Sequence, residues 1–178
     1  MATSLPGRWG ATVEEAAQRL PCDGLIGPPR DEMIRAVDVE APVAVTFRWL
    51  CQLKVAPYSY DLIDNLGRRS PRTPTPGAEN LAVGQRFLLI FDIAAFEQDV
   101  HITGIGRAGT GRLFGPMAVT YLVVPVGADR SRLIAKLVVP AGTGWRRAGR
   151  LALQWGDLVM MRRQLLTLKA LAGAQPAA

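Results

Sequence analysis

Residues 57–65 read PYSYDLIDN, and RRSPRTPTPG follows at 68–77. Asp61 and Asp64 lie three apart, so on a helix they share one side, and paired carboxylates can do acid–base work. They also have a plainer use. Ser59 is a natural N-cap, Asp61 would then complement the helix dipole, and Asp64 would meet Arg68 or Arg69. Tyr58 and Tyr60 each join an apolar ring to a hydrogen-bonding tip. At the mouth of an apolar cavity they could orient a ligand; packing under the loop is the equal alternative.

Other chemistry-bearing residues are sparse. His101 is the sole histidine; with two distant cysteines and scattered acids it makes no metal-ligand spacing, so no metal and no cofactor are expected. Val100 and Ile102 form the apolar face of its strand, which turns His101 outward. GIGRAG at 104–109 matches G-x-G-x-x-G, but TGRLFGP follows it where a dinucleotide site needs a helix, so a glycine-rich hairpin is expected. Cys22 and Cys51 are expected to be free thiols, with no base beside either. Arg162 falls within an apolar helix stripe, where it would need a partner such as Asp61, Asp64 or an acidic ligand, or would snorkel outward.

The elements that must position these groups can be read in order. Thr12 and Glu15 form a capping box at the start of a short helix, with Pro21 beyond its end. MIRAVDVE (33–40) reads as a strand. Ala41-Pro42 starts a helix over 43–53 that buries Val43, Phe47, Leu50 and Cys51. A short helix from Ser59 to Gly67 precedes a loop. Four β-branched segments then follow in succession, 86–93, 99–107, 117–126 and 132–140, as antiparallel neighbours do. Residues 144–174 lack proline and carry an apolar stripe through Ala148, Leu151, Ala152, Trp155, Leu158, Val159, Leu165 and Leu166. A helix of about 28 residues would span roughly 42 Å.

Composition sets the class. The 178 residues suit one domain, and 49% apolar with 20% charged residues is ordinary for a globular protein. No run approaches the roughly 18 apolar residues of a membrane span. Glu14, Glu15 and Arg19 stand where a secretory signal needs apolar residues, so a cytoplasmic location is expected. The net charge of +6 comes from arginines spread over the chain without interleaved aromatics, which argues against specific nucleic-acid binding.

The order strand, helix, short helix, antiparallel strands, long helix is α+β. With VDVEAPVAVTFRWL at the first strand–helix junction, PYSYDLIDN, and MMRRQLLTLKALA near the end, it resembles the SRPBCC or START-like superfamily, in its polyketide cyclase/dehydrase-like branch. The resemblance covers about residues 33–173. It implies a helix-grip fold, a curved antiparallel sheet wrapped around the C-terminal helix with short helices at one end. Residues 1–32 would be an N-terminal extension and 174–178 a tail. It also implies binding or processing of lipids, sterols, polyketides or other hydrophobic molecules, without a fixed catalytic set.

The expected pocket lies between sheet and helix. Phe87, Leu89 and Phe91 form one wall, Leu133, Ala135 and Leu137 another, and Trp155, Leu158 and Val159 the helical side. Tyr58, Tyr60 and Arg162 would supply the polar contacts. Three functions stand: binding of a hydrophobic small molecule by a monomer or homodimer, a metal-free cyclase or dehydratase using polar groups at the cavity, and an accessory domain that holds a partner protein. The binder leads because no deep acid–base pair is legible.

Overall fold

The computed structural model describes residues 5–60, 67, 69–107, 109, 115–142 and 146–175, with side chains of the last segment described from 149 onward. In chain order the elements are β1 (Arg8–Trp9), α1 (Val13–Ala17), β2 (Arg30–Val39), α2 (Val43–Cys51), β3 (Arg86–Phe87), β4 (Phe91–Glu97), β5 (His101–Gly106), β6 (Ala118–Pro125), β7 (Ser131–Pro140) and α3 (Arg146–Gly173). The seven strands form one sheet in the order β1-β2-β7-β6-β5-β4-β3. It is curved and unclosed, and α3 lies against its inner face, so the α+β helix-grip architecture is present. All pairings are antiparallel except that of β1 with β2, a parallel pair at the edge that the sequence did not suggest.

Local signals account for several boundaries. Thr12 accepts from the Glu15 amide at 3.1 Å, and the Glu15 carboxylate accepts from the Thr12 amide at 2.7 Å, which completes the capping box of α1. Pro42 is the N-cap of α2, where its lack of an N–H costs nothing. Thr46 shares a 2.7 Å hydrogen bond with Ser131, whose hydroxyl also bonds the Ala41 carbonyl, so α2 is tied to β7.

Strand parity divides the sheet into two apolar faces. Met33, Val37, Val119, Tyr121, Leu133, Ala135 and Leu137 point inward and pack with Phe47, Trp49 and Leu50 of α2 and with Met161, Leu165, Leu168 and Ala172 of α3. Ile34, Ala36, Ile134, Ala118 and Val138 point outward. The N-terminal segment covers them, with Ala16, Leu20, Cys22 and Ile26 seated on the outer face. A buried ionic cluster holds this segment down. Lys136 Nζ lies 2.8 Å from Asp23 and 3.2 Å from Glu32, and Arg30 bonds both acids.

Two expectations about the elements are corrected. The strand expected over 86–93 is interrupted at 88–90, because Leu88 and Leu89 take left-handed conformations (φ 51° and 60°) and reverse the chain between β3 and β4. On α3 the buried line runs through Leu158, Met161, Leu165, Leu168 and Ala172, with Leu151, Trp155 and Val159 about half exposed. That line is rotated by roughly 100°, about one residue position, from the stripe read in the sequence.

Candidate functional site

Seven of the twelve expected pocket residues reach the interior: Tyr58, Phe87, Phe91, Leu133, Ala135, Leu137 and Leu158 are all buried. The other five lie outward. Leu89 is exposed in the turn after β3, because the left-handed pair carries it away from the sheet. Tyr60 is exposed. Trp155 and Val159 project from the far side of α3. Arg162 is exposed and stacks over the Trp9 ring at 5.2 Å, the outward placement left open for it. Asp61 and Asp64 fall outside the described residues, as does most of the helix expected to start at Ser59.

The interior holds polar groups that the sequence reading missed. Tyr121, from the middle of β6, donates to the Gln164 side chain of α3. The Gln164 amide donates in turn to the Pro57 carbonyl at 2.6 Å. Tyr58 follows Pro57 with φ 56°, and its ring meets Trp49 edge-on at 6.1 Å. Phe87 meets Tyr121 in the same geometry at 5.8 Å. Phe87, Tyr121, Gln164, Tyr58 and Trp49 thus form a continuous aromatic and amide cluster under α3. Burial, followed by the charge of Asp157, raises the Tyr121 phenol above its ordinary pKa and keeps it a neutral donor. The Trp49 indole N–H is fully buried and has no hydrogen-bond partner among the described residues.

A second buried group lies nearby. Arg35 on β2, at the parity of Met33 and Val37, donates to Asp157 of α3 at 2.9 Å and to the Gly7 carbonyl at 2.7 Å. Arg35 is fully buried and the Asp157 side chain is 10% exposed. Burial outweighs the arginine and pushes the Asp157 carboxyl up to about 6. The same burial lowers Arg35. Parity could have flagged both positions, since Arg35 is a charge on an apolar strand face and Asp157 and Gln164 are seven residues apart on one helix line.

The remaining motifs resolve plainly. Gly104 of the glycine motif lies in β5, where a Cβ would come within 3.1 Å of Phe91 and 3.2 Å of Phe87, so that glycine makes room for the two rings. His101 points to the outer face beside Thr103, and burial lowers its pKa. Burial raises the Cys22 and Cys51 thiols to about 11 and about 12, which leaves them unreactive thiols. Among the described residues no group of histidine, cysteine and acids could hold a metal. A cleft of about 540 Å³ opens between α2, the 74–79 loop and the β4–β5 turn, lined by Phe47, Arg48, Pro74, Pro76, Glu79 and Asp99, not between the sheet and α3. No helix of the described residues is long and apolar enough to cross a membrane.

No family model matches the chain, and no curated protein sequence does. Solved structures do match. A protein from Chromobacterium violaceum is 13% identical with a TM-score of 0.50 over 81% of this chain and 98% of its own. Ara h 8.0201 is 10% identical with a TM-score of 0.50 over 82% of this chain and 99% of its own. A protein from Arthrobacter aurescens is 13% identical, again with a TM-score of 0.50, over 81% and 87%. At such identities the likeness shows the fold. That fold is the helix-grip architecture that the resemblance implied.

Proposed function

We propose that the protein binds an apolar or aromatic small molecule bearing at least one oxygen acceptor, between the inner face of the sheet and α3. Phe87, Phe91, Leu133, Ala135, Leu137 and Leu158 supply apolar contact, and Tyr58, Trp49 and the Tyr121–Gln164 pair supply orientation. The observation that carries this reading is the Trp49 indole N–H, buried without a hydrogen-bond partner among the described residues and next to the apolar side chains of the inner face. Leaving such a donor unsatisfied costs about 1–3 kcal/mol, which a carbonyl or hydroxyl oxygen of a ligand would offset.

The test is titration with an environment-sensitive apolar dye, beside native mass spectrometry of the purified protein. Dye uptake is expected, with affinity for oxygen-bearing ligands reduced about tenfold in Trp49→Phe while the fold persists. A wild-type protein that takes up no dye and carries no ligand would overturn the proposal.

A second reading, acid–base catalysis of the cyclase or dehydratase kind, is favoured by one observation. The Arg35–Asp157 pair is buried, its carboxyl is shifted to about 6, and its charge acts on Tyr121. Buried, shifted carboxyls recur at catalytic centres. This reading predicts turnover that rises through pH 6 if the carboxylate is the base, and its loss in Asp157→Asn with ligand binding retained.

A further inference from the structure

The outer side of α3 carries a second apolar surface, independent of the interior. Leu151, Trp155 and Val159 are 50%, 47% and 51% exposed, and their spacing of four residues places them in one line along the helix. Arg162 continues that line, stacked on Trp9, and Arg163 stands beside it, also exposed. Neither arginine has an acidic partner among the described residues. The charge of the helix is one-sided. Its sequence holds Arg146, Arg147, Arg150, Arg162, Arg163 and Lys169 against a single acid, Asp157, which is turned inward onto Arg35. A line of Leu, Trp and Val bordered by arginines, on a helix without an exposed acid, matches a surface that is apolar beneath and anionic above. That is the chemistry of an anionic lipid bilayer.

We propose that the outer face of α3 docks the protein onto anionic membrane surfaces. Leu151, Trp155 and Val159 enter the headgroup–acyl boundary, where an indole ring is well placed, and Arg162 and Arg163 meet lipid phosphates. The helix lies in the plane of the interface and does not cross it. The +6 net charge of the chain adds long-range attraction to the same surface.

The test uses the full chain and vesicles of phosphatidylcholine with and without phosphatidylserine, at low and high salt. Co-sedimentation with the anionic vesicles is expected, weakened by salt and accompanied by a blue shift of indole emission. Trp155→Ser should weaken binding about tenfold, and Leu151→Ser should act in the same direction. Arg162→Gln with Arg163→Gln should weaken it by about fivefold per charge. Thermal melts superimposable on the wild type show that the variants remain folded, as expected at exposed positions. Equal binding to neutral and anionic vesicles, or binding unchanged in both Trp155→Ser and Leu151→Ser, would overturn the proposal. So would light scattering showing a dimer that Trp155→Ser dissolves, with no vesicle binding, since a second copy would then be the occupant. Dye uptake by the interior is measured separately, so either reading can fail alone.

Discussion

Asp157 departs from ordinary carboxylate behaviour because burial dominates over its arginine partner. Its folded pKa of about 6 stands above the ordinary aspartate value of 3.8, so the folded state holds the proton more tightly than the unfolded chain. The resulting contribution to stability is complete below pH 3.8 and is lost as pH rises through about 6. Asp157→Asn mimics the protonated acid. Because the amide does not titrate, the variant should lose the fall in stability that the wild type shows as pH rises through about 6, and so should gain on the wild type between pH 4 and pH 7.5. Chemical denaturation of both proteins across that range measures it; a stability difference that stays constant with pH would show that the carboxyl is not raised by burial. Gly10 is a second residue with a sharp requirement. Its φ is +70°, and a Cβ there would sit 2.2 Å from the Ala36 carbonyl oxygen. Gly10→Ala should cost at least about 2 kcal/mol in a thermal or denaturant melt, since the obstacle is backbone and cannot swing aside.

At the scale of elements, α1 is only five residues long and relies on its cap and its docking. Thr12→Ala removes the side-chain acceptor of the capping box and should destabilise by about 1 kcal/mol. A fall in melting temperature of several degrees checks it. Glu15 has two tasks, closing the box and bonding Arg132 at 2.8 and 2.9 Å. The Arg132 side-chain hydrogen bond is the largest influence lowering its pKa. Its stabilisation is therefore present at neutral pH and is lost as pH falls through its depressed folded value, opposite in sign to Asp157. Glu15→Gln should flatten the acid limb of the stability profile; an unchanged limb would mean that the pair contributes nothing.

At the scale of the molecule, the sheet has apolar residues on both faces and each needs its own cover. α3 and α2 cover the inner face, and the segment before β2 covers the outer one. Deleting residues 5–29 together with the four before them would uncover Ile34, Ala36, Ile134 and Val138 and leave Lys136 without Asp23. Lys136 keeps Glu32 at 3.2 Å, so the main cost is the apolar outer face left in water. The truncated chain should aggregate or bind an apolar dye without a cooperative melt. A monomeric, cooperatively melting truncation would show that the segment is dispensable.

The sequence by itself determined the order of the main elements, though not β1 or the break between β3 and β4, together with the capping box at Thr12, the proline-led start of α2 and strands over 99–107, 117–126 and 132–140, which the structure places at 101–106, 118–125 and 131–140, because each depends on neighbours within a few residues. It also marked Phe87, Phe91, Leu133, Ala135 and Leu137 for the inner face, since alternation in a strand is a local rule. Only the tertiary structure decided the rotation of α3. That helix is apolar around much of its circumference, so periodicity alone does not choose its buried side. The choice follows from Asp157 meeting Arg35 and Gln164 meeting Tyr121, partners 122 and 43 residues away. The same holds for Leu89, turned outward by two left-handed residues that no glycine announced. Contacts between distant residues pair polar groups that look unremarkable one at a time, and here those pairs select which side of the long helix faces the sheet and which is left for solvent.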